Sequence, residues 1–315
     1  MARIAFLFPG QGSQYVGMGK NLFDSDPQAR ELFQIAAETT GLPLQRLCFE
    51  GPMEELTETV NLQPAVTLVN LCLYQALKAA GVTPQAVCGH SLGEYSALFA
   101  AGVLSAGDTL AAVKERGRLM QREADQHPGA MAAVIGLAPE KLAELLAPLV
   151  SQGPLALANF NTQEQTVISG SPEVVGKAAE VCKAAGARAV PLKVSGAWHS
   201  PLMAAATPDF AAFMETLNFQ APRLPVYLNA TAAPESDPSR LRQAMGSQLT
   251  SPVRWVELIL NLKTAGIDTW VEVGPKNVLK GLVRKILSQE PGENFFNVEN
   301  QESLARFLDA WSARA

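Results

Sequence analysis

Apolar residues along this chain recur at two spacings. Short unbroken runs, Ile4-Ala5-Phe6-Leu7-Phe8 and Ala86-Val87-Cys88 among them, have the length of buried strands and predict β-structure. Between the runs, apolar positions return every three or four residues. Val66, Val69, Leu73 and Leu77 predict a helix from Pro64 to Gly81, and a second pattern predicts one from Asp108 to Asp125. Asp26-Pro27 opens another helix that runs to Gly41, with Asp26 as N-cap and proline in the first helical position. Short strands alternating with helices predict an α/β sheet.

The stretch from about 130 to 194 has a rhythm of its own. Strands over Met131–Gly136, Leu155–Ala158, Gln165–Ile168 and Arg188–Val194 enclose helices over Pro139–Leu149 and Pro172–Ala185. The order β-α-β-β-α-β is the ferredoxin-like pattern. It predicts a compact subdomain, residues 128–195, inserted into a larger domain made of residues 1–127 and 196–315. The large domain then resumes through Pro201–Leu217, an edge near Val226-Tyr227-Leu228, a surface loop over Pro234–Pro238, and a final strand Ile267–Val273 closed by Gly274-Pro275.

Composition narrows the class. The chain has 315 residues, 48% hydrophobic and 17% charged, which allows a large core and more than one small domain. Its net charge of −5 and scattered basic residues argue against a nucleic-acid partner. Cys48, Cys72, Cys88 and Cys182 stand far apart, without a C-x-x-C pair, and are read as buried thiols rather than disulfides or metal ligands. No run approaches the ~20 apolar residues of a membrane span, and the opening run is too short for a signal peptide. A soluble cytoplasmic protein is expected.

The chemistry concentrates at Gly89-His90-Ser91-Leu92-Gly93. With a strand before it and a helix after it, this G-x-S-x-G segment predicts a sharp turn that lifts a nucleophilic serine clear of the sheet; the alternative is an ordinary tight turn. A serine hydroxyl needs a general base, and the chain has three histidines. His90 adjoins the serine, and an adjacent side chain on a tight turn points away. His127 precedes a proline in a polar loop. His199 lies where the chain leaves the subdomain, a place where clefts form, and is favoured by elimination, against a structural role beside Trp198. Arg116 has Ala112, Val113, Leu119 and Met120 as its helical neighbours, so its guanidinium faces inward, whereas Arg118 lies on a solvated face. A buried arginine needs an acceptor: an internal carboxylate, or a ligand carboxylate gripped by the planar fork.

Several segments together resemble the malonyl-CoA:acyl carrier protein transacylases and the acyltransferase domains of polyketide synthases. They are Phe8–Gln14, Gly89–Glu94, Arg116–Met120, Gly129–Val134, Asn159–Asn161, Ile168–Gly170, Gly196–Met203, Gln248–Trp255 and Glu272–Pro275, in order over nearly the whole chain. The resemblance implies an α/β-hydrolase-like large domain with a ferredoxin-like subdomain. It implies Ser91 as acyl carrier, His199 as base, the amides of Gln11 and Leu92 as oxyanion hole, Arg116 as carboxylate grip, and the Gln248 backbone carbonyl as the group that orients His199. Asn161, Met120 and Trp198 are implied at the acyl site. Many malonyl-selective members carry phenylalanine in place of Trp198, a bulk thought to crowd an α-methyl branch. A coenzyme A thioester and an acyl carrier protein are the implied partners, with no metal, no redox cofactor, and a monomeric enzyme. The competing readings are a carrier-protein acyl hydrolase, which typically lacks the arginine, a transferase for another extender unit, an ordinary esterase, and a docking module without chemistry.

Overall fold

The computed structural model describes residues 3–288 and 290–312. Among the described residues, ten strands form two sheets. The larger contains β1 (Ile4–Phe8), β2 (Ala86–Gly89), β7 (Val226–Tyr227), β8 (Pro234–Glu235), β9 (Thr269–Val273) and β10 (Asn294–Val298) in the order β10-β9-β1-β2-β7-β8. All its neighbours are parallel except β7 and β8. Every residue of β1, β2 and β9 is buried, as unbroken apolar runs demand of strands covered on both faces. From the central β1 the chain goes to β2 on one side, while β9 lies on the other. The carboxyl ends of β1 and β2 therefore flank a crevice, the usual place for a ligand in an open α/β sheet.

The smaller sheet contains β3 (Ala130–Ile135), β4 (Leu155–Thr162), β5 (Gln165–Gly170) and β6 (Arg188–Pro191) in the antiparallel order β4-β5-β3-β6. With the helices Pro139–Val150 and Pro172–Ala184 it makes the ferredoxin-like unit, packed around its own core of Val134, Leu142, Leu146, Ile168 and Ala178. The unit is tied to the large sheet's side of the molecule at β4. There the Phe160 amide donates to the Val253 carbonyl at 2.9 Å and the Val253 amide to the Ala158 carbonyl at 2.8 Å.

Local signals place most helices. Asp26 caps Pro27–Thr40 by accepting from the Gln28 amide, and Gly41 ends it in the left-handed region. Three expectations are corrected. The helix expected from Pro64 spans Thr59–Ala79, with Pro64 inside it. Every residue from Asn61 to Tyr74 is buried there, and that packing outweighs the hydrogen bond proline cannot make. The strand expected to be last is followed by β10, whose Asn294–Val298 pairs with all of β9. Its residues are mostly half-buried, so it lacks the dense apolar run that marks the central strands. Finally, Val226-Tyr227 lies one place in from the edge, because Pro234-Glu235 forms the outermost strand instead of a loop; proline is tolerated on such an edge.

Candidate active site

Ser91 sits between β2 and the helix Gly93–Ala100 with φ 51°, in the left-handed region that non-glycine residues rarely adopt. The turn is possible because its glycines have no side chain. A Cβ on Gly89 would lie 1.9 Å from the Gly93 carbonyl carbon, and one on Gly93 would lie 1.9 Å from the Phe8 carbonyl oxygen. The sequence motif is thus a true elbow pressed against the end of β1.

His199 also holds a left-handed backbone, φ 56°. Its Nε2 accepts the Ser91 hydroxyl at 2.7 Å, and its Nδ1–H donates to the Ser251 carbonyl at 2.8 Å, which fixes the tautomer needed of a base. Gln248 had been expected to orient the ring through its backbone carbonyl. The 2.8 Å bond is made by the Ser251 carbonyl, and the Gln248 backbone carbonyl, which also closes the 248–251 turn on the Ser251 amide, adds a second backbone contact that favours the protonated ring. Burial, then the nearby Arg116 charge, lower the His199 pKa to about 3, so the imidazole is neutral and available.

Arg116 is 2% exposed and hangs from the helix Ala106–Gln126 between Ala112, Val113, Leu119 and Met120, all buried. Its Nε donates to Gln248 Oε1 at 2.8 Å, Nη1 to Gln63 Oε1 at 2.9 Å, and Nη2 to Ser91 Oγ at 3.1 Å. Its cation stands 5.8 Å from the Tyr95 ring centre. Neutral groups hold it, so the expected alternative of a direct internal ion pair is not what is found among the described residues. The solvated reading of Arg118 holds: it pairs with Glu115 at the surface.

A cavity of about 280 Å³ opens on these groups. Gln11, Ser91, Leu92, Arg116, Met120, Asn161, Trp198 and His199 all line it, while Gln248 lies behind the wall. His90 turns away from Ser91, as expected of a neighbour on a tight turn, and its Nε2 meets Asn161 Oδ1 at 2.8 Å. Trp198 is buried, with the Gly196 backbone against its ring and no partner for its indole N–H among the described residues. Met120 sulfur accepts from Gln63 Nε2 at 3.1 Å. The exposed His127 takes no part. The four cysteines are buried free thiols, and burial raises the pKa of each. No cluster able to hold a metal ion is present among the described residues.

Gln63, Glu94, Asn229 and Ser251 were missed by sequence reasoning. Gln63 fell outside the helix expected to begin at Pro64, Glu94 and Ser251 lie inside the quoted segments Gly89–Glu94 and Gln248–Trp255 without a role assigned to them, and Asn229 lies in no quoted segment. Glu94 left the clearest signal: it is the one charged residue in the mostly apolar helix Gly93–Ala100.

A parallel sheet that presents a serine on such an elbow, with an imidazole at hydrogen-bond distance, defines the class: enzymes of acyl transfer. Residues 5–305 match the acyl transferase domain family, and the chain belongs to it. The chain is 43% identical over 288 residues, 91% of each protein, to the malonyl CoA-acyl carrier protein transacylase of Bacillus subtilis. Among solved structures, an acyl carrier protein S-malonyltransferase from Vibrio cholerae superposes with TM-score 0.92 at 37% identity, covering 97% of this chain and 100% of that one. A malonyl-transacylase solved in complex with a type II polyketide synthase acyl-carrier protein superposes with TM-score 0.94 at 35% identity, covering 98% and 100%. The protein is an acyltransferase.

Proposed function

We propose that this acyltransferase moves a malonyl group from coenzyme A to the phosphopantetheine thiol of an acyl carrier protein, through an ester on Ser91. The observation that carries the reading is Arg116: a buried guanidinium 3.1 Å from the Ser91 hydroxyl and held by neutral groups. The nearest carboxylate, Glu94, stands behind Gln248 and makes no direct pair with the guanidinium, so a ligand carboxylate can supply the direct partner that offsets the cost of burying the charge. A malonyl group attached to Ser91 carries its carboxylate a few atoms beyond the serine oxygen, within reach of this guanidinium, whose planar fork can grip it through paired N–H donors.

In the first half-reaction the Ser91 proton passes to His199 Nε2 as the hydroxyl oxygen attacks the thioester carbonyl. The oxyanion forms beside the Gln11 and Leu92 amides, both residues lining the cavity just past β1 and β2; one such donor is worth ~3 kcal/mol of barrier. The C–S bond breaks, and the coenzyme A sulfur leaves with the proton held by His199. In the second half the carrier thiol gives its proton to His199, its sulfur attacks the ester, and Ser91 regains the proton. Pairing Arg116 with the acyl carboxylate offsets the positive charge that weakens His199, so the base strengthens as the correct group docks. Trp198, Met120 and Asn161 wall the acyl pocket, and the bulk of Trp198 disfavours a branched α-carbon.

Each step uses the chain's own groups, so the reading calls for no metal or redox cofactor. No helix among the described residues is long and apolar enough to cross a membrane. We take the enzyme to be a cytoplasmic monomer, with residues 128–195 as a subdomain set between 1–127 and 196–315. Intact-protein mass spectrometry tests the reading. Malonyl-CoA should leave a malonyl adduct that phosphopantetheinylated carrier protein discharges, and Ser91→Ala should leave none. An adduct on Ser91→Ala refutes the nucleophile, and discharge by water as fast as by the carrier makes the enzyme a hydrolase.

A further inference from the structure

Two side-chain amides grip the peptide groups on either side of the strained Ser91. Its N–H donates to Asn229 Oδ1 at 2.7 Å, and its carbonyl accepts from Gln248 Nε2 at 2.9 Å. Asn229 Nδ2 also donates to the Gly89 carbonyl at 2.7 Å, at the end of β2. Both residues lead to Glu94, which is 2% exposed and lies outside the cavity wall. Glu94 Oε1 accepts from the Asn229 backbone N–H at 2.7 Å, and Oε2 from Gln248 Nε2 at 2.5 Å. On its far side, Gln248 Oε1 accepts from Arg116 Nε at 2.8 Å and from the Tyr95 hydroxyl at 3.3 Å.

The donors and acceptors run in one direction. Burial raises the Glu94 pKa to about 7, while the Asn229 and Gln248 hydrogen bonds and the Arg116 charge favour its ionised form. Ionised, the carboxylate only accepts, so it demands the NH₂ end of Gln248, and the amide oxygen is then turned to Arg116. A reversed Gln248 would set its oxygen against Glu94 and its NH₂ against the guanidinium. We propose that Glu94 is a positioning residue: its carboxylate orients the Gln248 amide, which aims Arg116 at the acyl carboxylate, while its contact with Asn229 holds the Ser91 elbow. The assignment rests on Arg116 gripping a malonyl carboxylate.

Glu94→Gln tests it with almost no change of volume. The new amide oxygen stays on the Asn229 backbone N–H, a donor that cannot rotate away, so its NH₂ meets the NH₂ of Gln248 and the arm to Arg116 opens. The readout is kcat/KM for malonyl-CoA against acetyl-CoA, which has no carboxylate to grip, with thermal unfolding as control. The malonyl-to-acetyl ratio should fall about tenfold or more, mainly through a higher malonyl KM, with folding retained. An unchanged ratio overturns the proposal, whether both activities persist or both fall together. Should Glu94→Gln not fold, Glu94→Asp keeps the charge but withdraws it from both partners, and the same ratio is read. If neither folds, Glu94 is a folding residue and the proposal fails. Wild-type enzyme that does not load malonyl at all refutes the functional reading instead, so the two failures are distinct.

Discussion

Two side chains carry the chemistry that is tested at the residue scale, Arg116 and His199, and each is answerable to a separate measurement. Arg116 selects the acyl group, since its charge is buried among neutral amides. Arg116→Ala should cut malonyl transfer about tenfold to a hundredfold, the worth of a charge-assisted pair, and spare or improve acetyl transfer. Equal losses with both substrates would make the residue structural. His199 is kept neutral by burial and by the Arg116 charge, with its pKa near 3. Followed by NMR, its ring should show no titration between pH of about 8 and 5, where an ordinary histidine has its midpoint at about 6.5. Removing Arg116 should raise that midpoint, because one of the two main depressing causes is gone. The sign for stability follows from linkage: below about 6.5 the unfolded chain binds a proton that the folded site refuses. This site's contribution is therefore lost progressively as the pH falls from about 6.5 towards about 3. A midpoint near 6.5 in the folded enzyme would show that the ring is solvated and the burial argument mistaken.

Elements set how accurately those side chains meet. The elbow works only because Gly93 lets the Gly93–Ala100 helix start against the end of β1, at a distance from the Phe8 carbonyl that admits no side chain. Gly93→Ala should cost about 3 kcal/mol or more in chemical denaturation, since the obstruction is backbone and cannot step aside; a cost below about 1 kcal/mol would show that β1 and the elbow can part. The Ala106–Gln126 helix was legible from its pattern, down to the apolar neighbours that drive Arg116 inward. Helix Thr59–Ala79 was legible only in part. Proline favours a first turn, so the pattern starts the helix at Pro64 and leaves out Gln63, the residue that holds Arg116 Nη1. The preference is local and weak beside the burial of the whole helix face, and the structure follows the burial.

At the scale of the whole molecule, the site exists because distant segments converge on the ends of two parallel strands. Ser91 and Gln11 follow β2 and β1, Arg116 comes from the next long helix, and His199 arrives after the small sheet is complete. The bridge between β4 and Val253 steadies the 248–253 segment that holds the imidazole and the Gln248 amide. By itself the sequence determined what nearest neighbours and spacing control: the elbow, the helix stops, the βαββαβ order, and the inward face of Arg116. Those features follow from glycine's missing side chain, from capping groups and from hydrophobic periodicity, all read within a few residues. Only the tertiary structure decided what depends on partners far apart in the chain. It added β10 as an edge strand and brought the Ser251 carbonyl, beside that of Gln248, to His199. It also tied Ser91, Asn229, Gln248 and Arg116 to one buried carboxylate. Hydrogen-bond polarity across 25 to 157 residues of separation has no local periodicity, so only the folded chain brings these donors and acceptors within reach.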